Sequence, residues 1–524
     1  MPAIFRYVLA IVLCFTATIA FGKSTKQPLD TNAALLAECS QGDWDAPLKE
    51  VWRLICLSGK YGDDNQESKC HYTKTLPAYF LIDILEDPRY SKRLQETGFQ
   101  LSGTTIIGSI HLKGGIIPGD IEFKCVKGED IELQNVSAKG DIRFEGGSYR
   151  SIVLNDSHVE GSLKFRTIRA HVVQVASTRV DGGIEFSANS AAALLVQNSV
   201  IAGSFILNLE RSLLLPLRLE FSRIGGSFVG QMSCVGEMSA RGTTISGILE
   251  FQKRDVELLD DDTDGVETAC RRRQIWANPS SLDLTGAHIS QVQITDVNLW
   301  PKYVRAQNAQ IDGFLTEKAV PGAPPPAAIR AASNEKDIEW FERWLELTQR
   351  NGFDPAPFQQ VLGFFQKTGN STGYDKIYIA SKDQERDHVC LTANFTSFGN
   401  CAYLWAASFV GYGRKLYVAV IASMVFVIFG GFVFRFQEKP MYDFALTFDS
   451  PPNAVPTNRR ISKDFIPLRW AYSFDMFLPL IKLRDRHYKD VDFSGPIRFY
   501  LYIHKLAGWI LGTFIVASIV SLTK

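Results

Sequence analysis

Glycine returns at an almost fixed interval through the middle of this chain, and few folds accommodate such a period. The units read GDIEF from Gly119, GDIRF from Gly140, GSLKF from Gly161, GGIEF from Gly182, GSFIL from Gly203, GSFVG from Gly226 and GILEF from Gly247. Their spacings are 21, 21, 21, 21, 23 and 21 residues. The second and fourth residues after most of these glycines are apolar, which is strand periodicity. Strands this short cannot form hairpins of their own, and a constant period means stacked coils. Alternate residues then face in and out, so Ile121 and Phe123 point inward while Glu122 and Lys124 meet solvent. A second strand follows at Ile131/Leu133, Ile152/Leu154, Val173/Val175 and Leu194/Val196. The repeat glycine is expected at the corner of each coil, where positive φ is cheap for it.

The repeat resembles the pentapeptide-repeat type of β-helix. That resemblance implies a mainly β chain built on a right-handed four-sided β-helix of about 21 residues per coil, here over 101–319. The rhythm breaks after Phe251 in an acidic insertion, 252–279. Within it Asp260, Asp262 and Asp264 before Gly265 copy the first half of a calcium loop. The closing Glu of such a loop is replaced by Arg271, so the stretch reads as a solvated loop facing Arg271, Arg272 and Arg273.

The two ends of the chain set the expected compartment. Residues 1–22 carry Arg6, an apolar run from Tyr7 to Phe15, and small residues Ala20 and Gly22 before Lys23. This reads as a secretory signal peptide, cleaved or retained as an anchor helix. Cysteine usage fits export. Cys390 and Cys401 flank a short loop that a disulfide would close, and two of Cys39, Cys56 and Cys70 are expected to pair. Cys125 and Cys234, inside the repeats, are expected as buried free thiols.

Two long apolar runs lie further on, at 416–434 and 499–522, each long enough to span a bilayer. The connector 435–496 holds ten Lys/Arg, which places it in the cytoplasm and the preceding bulk of the chain outside. Within the connector, 470–483 is too short to span and reads as a re-entrant or an interfacial segment. Asp475 lies inside it, dry in the first case and in water in the second. His504 and Lys505 sit near one end of the second run, where they can snorkel. Gly411-Tyr412-Gly413 lacks the Thr-Val of a potassium filter and reads as a turn at the membrane surface.

The remaining segments are helical by spacing. Residues 27–100 hold Leu48, Val51, Trp52 and Ile55 on one face, then LPAYFLIDIL, and read as a helical N-terminal cap over an exposed coil edge. The alternative is a ligand-binding head. A Pro/Ala linker, 320–333, leads to a helical segment, 334–390, with Ile338, Phe341, Trp344 and Leu345 on one face. Residues 391–415 form the approach to the membrane.

The runs YSFDMFLPLIKL and LAGWILGTFIVASIVSL, together with the Gly-x-apolar coils, resemble a group of uncharacterised bacterial two-span membrane proteins. The resemblance covers most of Ile82 to Lys524. Some of that group carry a membrane-associated oxidoreductase label. No dinucleotide fingerprint, CxxC or haem CxxCH supports that chemistry here.

The balance of 56 basic and 56 acidic residues offers no electrostatic footprint for nucleic acid. The outward Glu122, Glu132, Glu185 and Glu250 are scattered among bases, unlike the facing carboxylates of glycoside hydrolysis. No cofactor, metal or catalytic residue is expected. The reading is therefore a non-enzymatic scaffold or binding protein on the periplasmic side of a bacterial inner membrane. Its partners are the lipid bilayer and a protein or envelope polymer. The alternative is an oligomeric channel-like or signalling protein in which Asp475, His504 and Lys505 act.

Overall fold

The computed structural model describes residues 31–40, 42–62, 70–209, 216–231, 235–252, 276–293, 299–315, 335–349, 352–392, 398–435, 468–478 and 495–522. The signal 1–22, Asp260, Asp262 and Asp264, the linker 320–333, Cys234 and most of the connector lie outside these residues. The chain forms two compact units, Met1–Leu217 and Arg218–Lys524. Its β structure is a parallel β-solenoid with a spacing of about 21 residues.

In the first unit, each strand pairs in parallel with the strand one period later. Ile121, Ile142, Leu163, Ile184 and Phe205 form a ladder, each paired with the next. Phe123, Phe144, Phe165 and Phe186 follow the same register, with centroids 5.1, 5.4 and 5.8 Å apart; the first three rings stack and the Phe186 ring is tilted. A second ladder runs Ile110, Ile131, Ile152, Val173, Leu194. All of these residues are buried. The pairing is parallel because each strand returns after a whole coil rather than after a turn.

The repeat glycines have a different role from the expected one. None of the glycines opening the units adopts positive φ. They are needed because successive backbones nearly touch there. A Cβ on Gly161 would lie 2.5 Å from the Gly140 carbonyl carbon, and one on Gly182 would lie 2.7 Å from the Gly161 oxygen. The left-handed corners fall instead on Asn135, Asp156, Ser177 and Asn198, at φ 54, 50, 50 and 51°. Asn and Asp accept that conformation better than other non-glycine residues.

Two ladders of side-chain acceptors accompany the coils. The residue after the glycine receives a backbone N–H from the next coil. Asp120 Oδ1 accepts from Asp141 N at 2.9 Å, and Asp141 Oδ1 accepts from Ser162 N at 2.8 Å. Immediately after the left-handed corner, Ser157, Thr178 and Ser199 are buried. Ser157 Oγ accepts from Val136 N at 3.1 Å, and Ser199 Oγ accepts from Thr178 N at 3.1 Å. Each hydroxyl also donates to backbone carbonyls, as Thr178 does to Ala176 at 2.9 Å. These bonds satisfy corner groups that the strands leave unpaired.

Helices α1 (Thr31–Cys39), α2 (Ala46–Ser58), α3 (Ala78–Glu86) and α4 (Pro88–Thr97) precede the coils. Helix α2 buries Leu48, Val51, Trp52 and Ile55. The segment also contributes strands. Lys60–Tyr61 pairs with Gln100–Leu101, and Lys74–Pro77 pairs with Thr104–Ile107, so α3 begins only at Ala78. Disulfides join Cys39 to Cys56 and Cys70 to Cys125. Cys125 is therefore not a free thiol. Its partner is 55 residues away, a separation that carries no local pattern.

In the second unit, Ile224 pairs with Ile245, Ile245 with Ile289, and Ile289 with Ile311. The middle step is 44 residues, so the insertion is accommodated without changing which residues face inward. Helices α5 (Glu335–Thr348) and α6 (Pro355–Lys367) pack on strands Tyr303–Arg305 and Gln310–Leu315. Phe314 meets Phe341, Trp344 and Phe364 at 5.1, 5.8 and 5.5 Å. Ile338, Phe341, Trp344 and Leu345 are all buried. Helix α7 (Ser371–Leu391) packs on α6 and on α8 (Phe398–Phe409), a helix in a stretch read from sequence only as an approach. Helix α9 (Leu416–Phe434), the short α10 (Leu468–Phe477) and α11 (Pro496–Leu522) complete the unit.

Replacing Gly161 by Ala forces a methyl into the adjacent backbone and is expected to cost about 1–3 kcal/mol. Replacing Asp156 by Gly at a left-handed corner should change stability by less than about 1 kcal/mol. Urea unfolding followed by circular dichroism separates the two, and equal losses would contradict the close-approach role of Gly161.

Candidate functional site

Two arrangements in the second unit bring together side chains that sequence reading considered singly. The first joins α7 to the start of α9. The sequence Gly411-Tyr412-Gly413 turns through three consecutive left-handed residues, at φ 59, 52 and 85°. Such a conformation is costly for tyrosine, about 1–2 kcal/mol, and needs support from elsewhere. The Tyr412 hydroxyl supplies it by donating to Asp383 at 2.8 Å. Burial, and then the Asp383 carboxylate that its hydroxyl faces, push the Tyr412 phenol upward, so it stays protonated as a donor.

Arg414 lies over the rings of Tyr374 and Tyr378, 4.8 and 5.0 Å from their centroids, and 3.4 Å from Asp375. Burial pushes the Asp375 carboxyl upward, and Arg414 opposes that shift. Arg386 contacts Asp383 and Asp387 at 2.8 Å each and covers the Trp405 ring at 4.6 Å. Cys390 and Cys401 form a disulfide between α7 and α8. Cation–π contacts of this kind stabilise more when partly shielded from water. Arg386 and Arg414 side chains are only 15% and 23% exposed. Helix α7 is thus clamped at four places to the chain that enters α9. Only the disulfide had a sequence signal; the other partners are separated by up to 40 residues with no recurring spacing.

The second arrangement is a polar junction among α9, α10 and α11, which contact one another pairwise. Ser473 Oγ donates to the Val427 carbonyl at 2.7 Å. His504 Nε2 lies 3.0 Å from the Ser473 carbonyl, and Nδ1 lies 3.3 Å from the Tyr500 hydroxyl. A carbonyl only accepts, so Nε2 carries a proton, and in the neutral ring Nδ1 accepts from Tyr500. Glycine permits the closeness. A Cβ on Gly430 would lie 2.3 Å from Ser473 Oγ, and one on Gly508 would lie 1.9 Å from the Phe477 oxygen. The Phe434 and Phe477 rings pack against His504, with centroids 5.9 and 5.4 Å away.

His504 therefore does not snorkel; its exposure is 0%. The helical period turns it toward α10 rather than along the axis to the interface. Asp475 is 1% exposed, which excludes the reading with this carboxyl in water. Lys505 is partly exposed and follows His504 by one residue, on another face of α11. Residues 479–483 of the expected short segment lie outside the described residues.

The outward carboxylates of the coils meet bases. Glu185 pairs with Arg166 at 2.8 Å, and Glu132 lies 2.9 Å from His111 Nδ1. Glu122 lines an open cavity of about 280 Å³ with Arg143, Phe144, Glu145, Lys164 and Arg166. Burial pushes the neighbouring Asp141 carboxyl up, but bonds from Lys164, the Ser162 amide and Arg143 outweigh it and hold the value at about 2. Among the described residues, no group of three His, Cys, Asp or Glu is placed to hold a metal. Comparison with known protein families, curated proteins and solved structures finds no match to this chain.

Two outcomes follow. The folded pKa of Asp141 is below its ordinary carboxylate value, so its stabilising contribution is complete above about pH 4 and is lost as pH falls through about 2. Asp141→Asn should flatten the pH dependence of melting in that window, and an unchanged profile would contradict the network. Gly430→Val should unseat α10 and lower the melting temperature in detergent by several degrees, as a buried clash costing about 1–3 kcal/mol does. No shift would contradict the close packing at Ser473.

Proposed function

We propose that this chain is a membrane-anchored scaffold or binding protein of the bacterial cell envelope, acting by docking and not by catalysis. In this reading the solenoid is right-handed and four-sided, and α1–α4 cover its first coil. The solenoid stands on the periplasmic side of the inner membrane, α9 and α11 span the bilayer, and 435–496 is cytoplasmic. The partner is a protein or an envelope polymer laid along the regular sides.

The clamp between α7 and the entry to α9 carries the proposal. A docking platform transmits or resists load only if its anchor is fixed to it. Four side-chain contacts and a disulfide serve that end here. Three disulfides among the described residues favour an oxidising compartment for the cysteines before α9. Helices α9 and α11 are long and apolar enough to cross a membrane, with mean hydropathy 2.5 and 1.4 over Leu416–Phe434 and Pro496–Val516. Their exposed residues include Ile421, Val425, Phe429, Ile503, Leu506 and Ile510, a surface suited to lipid.

The channel-like alternative needs polar groups at an interface between copies, because two helices enclose no pore. His504 and Asp475 are buried within one chain, which favours the anchor.

Topology tests the proposal. With Cys14, Cys234 and Cys270 replaced by Ser, single cysteines at Lys139 and Arg459 are probed with a membrane-impermeant maleimide on spheroplasts. Lys139→Cys should label in intact spheroplasts and Arg459→Cys only after permeabilisation. The reverse pattern would overturn the orientation.

A further inference from the structure

Helix α8 presents a surface that the other described residues leave largely exposed. Its twelve residues, Phe398–Phe409, include no charged side chain. Phe398, Tyr403, Trp405 and Phe409 are 68%, 63%, 59% and 69% exposed. Single exposed aromatics are ordinary on a soluble protein, but Phe398, Trp405 and Phe409 fall on one face of a short uncharged helix and form a patch that calls for a partner, with Tyr403 exposed on its flank.

The helix cannot turn this surface inward. Leu404 and Ala407 are buried on its other side, Cys401 is bonded to Cys390 of α7, and Arg386 holds Trp405 from above its ring. Three features identify the partner as lipid. The surface combines tryptophan and tyrosine with phenylalanine, the composition favoured at the headgroup level of a bilayer. It is continuous with a membrane-suited surface: after the turn at Gly411–Gly413, the exposed Tyr417, Val420, Ile421 and Met424 begin at once on α9. The basic Lys415, exposed and two residues after that turn, stands where anionic headgroups would meet it.

We infer that α8 lies in the headgroup layer of the bilayer with its aromatic face against lipid, a third membrane contact beside the two spans. The inference rests on the anchored reading above. The helix then sets the height of α7 over the bilayer, because the disulfide and Arg386 fix one to the other. The uncharged face suits the acyl boundary, and the polar atoms of Asn400 and Ser408 require no burial in hydrocarbon.

The test uses the full chain in nanodiscs whose lipids carry bromine either near the headgroup end or near the methyl end of the acyl chains. The emission of Trp405 is read as the difference between the wild type and Trp405→Phe, a change that keeps a ring beneath Arg386. Trp509, exposed on α11, is read in the same way from Trp509→Phe as the control for the spans. The expected result is emission of Trp405 about twofold lower with the shallow quencher and less affected by the deep one, as for an interfacial aromatic. If Trp509 is quenched and Trp405 is untouched by either lipid, the inference is overturned and the anchor stands. That outcome includes a protein or second copy covering α8. If neither tryptophan is quenched, the anchored reading falls and the inference with it.

Discussion

Close approach of backbones, allowed only where a side chain is missing, is the constraint on which this structure depends. In the coils it occurs at the repeat glycines, where a methyl on Gly161 or Gly182 would enter the neighbouring turn. Among the apolar helices it recurs at Gly430, Gly431 and Gly508, whose missing side chains leave room for Ser473, Trp470 and the Phe477 carbonyl. The two settings follow one logic. Tight stacking lets parallel strands share short hydrogen bonds, and it lets the apolar helices gain packing and polar contacts.

Much follows from the first of these. Once the coils are in 21-residue register, Phe123, Phe144, Phe165 and Phe186 must meet ring against ring, and the residue after each glycine must meet the next backbone amide. The preference for Asp or Ser at that place is then an acceptor requirement. The hydroxyl ladder of Ser157, Thr178 and Ser199 meets the same need at a corner. Side chains that point outward are left to pair with one another across coils, and a solvated face of balanced charge results.

The sequence made the period, the inward and outward residues and the two long apolar helices legible, because each is a local pattern repeated many times. It misassigned the glycines, since a glycine kept for space and one kept for φ look alike in a string of letters. It also missed Cys70–Cys125, the Asp383–Tyr412 bond and the burial of His504. Each of these depends on a partner on another element, and no spacing rule reaches that far. The helical phase of α11 distinguishes a histidine that faces a neighbour from one that can reach water, and that phase matters only once α10 is in place.

The account holds that one chain completes its own anchor, with polar groups enclosed by α9, α10 and α11 and apolar residues left outward for lipid. Light scattering of the purified full-length protein in mild detergent measures this directly, by giving the number of chains in each micelle. The account predicts one chain. A closed trimer, tetramer or pentamer that persists on dilution would contradict it, because the anchor would then be completed between copies.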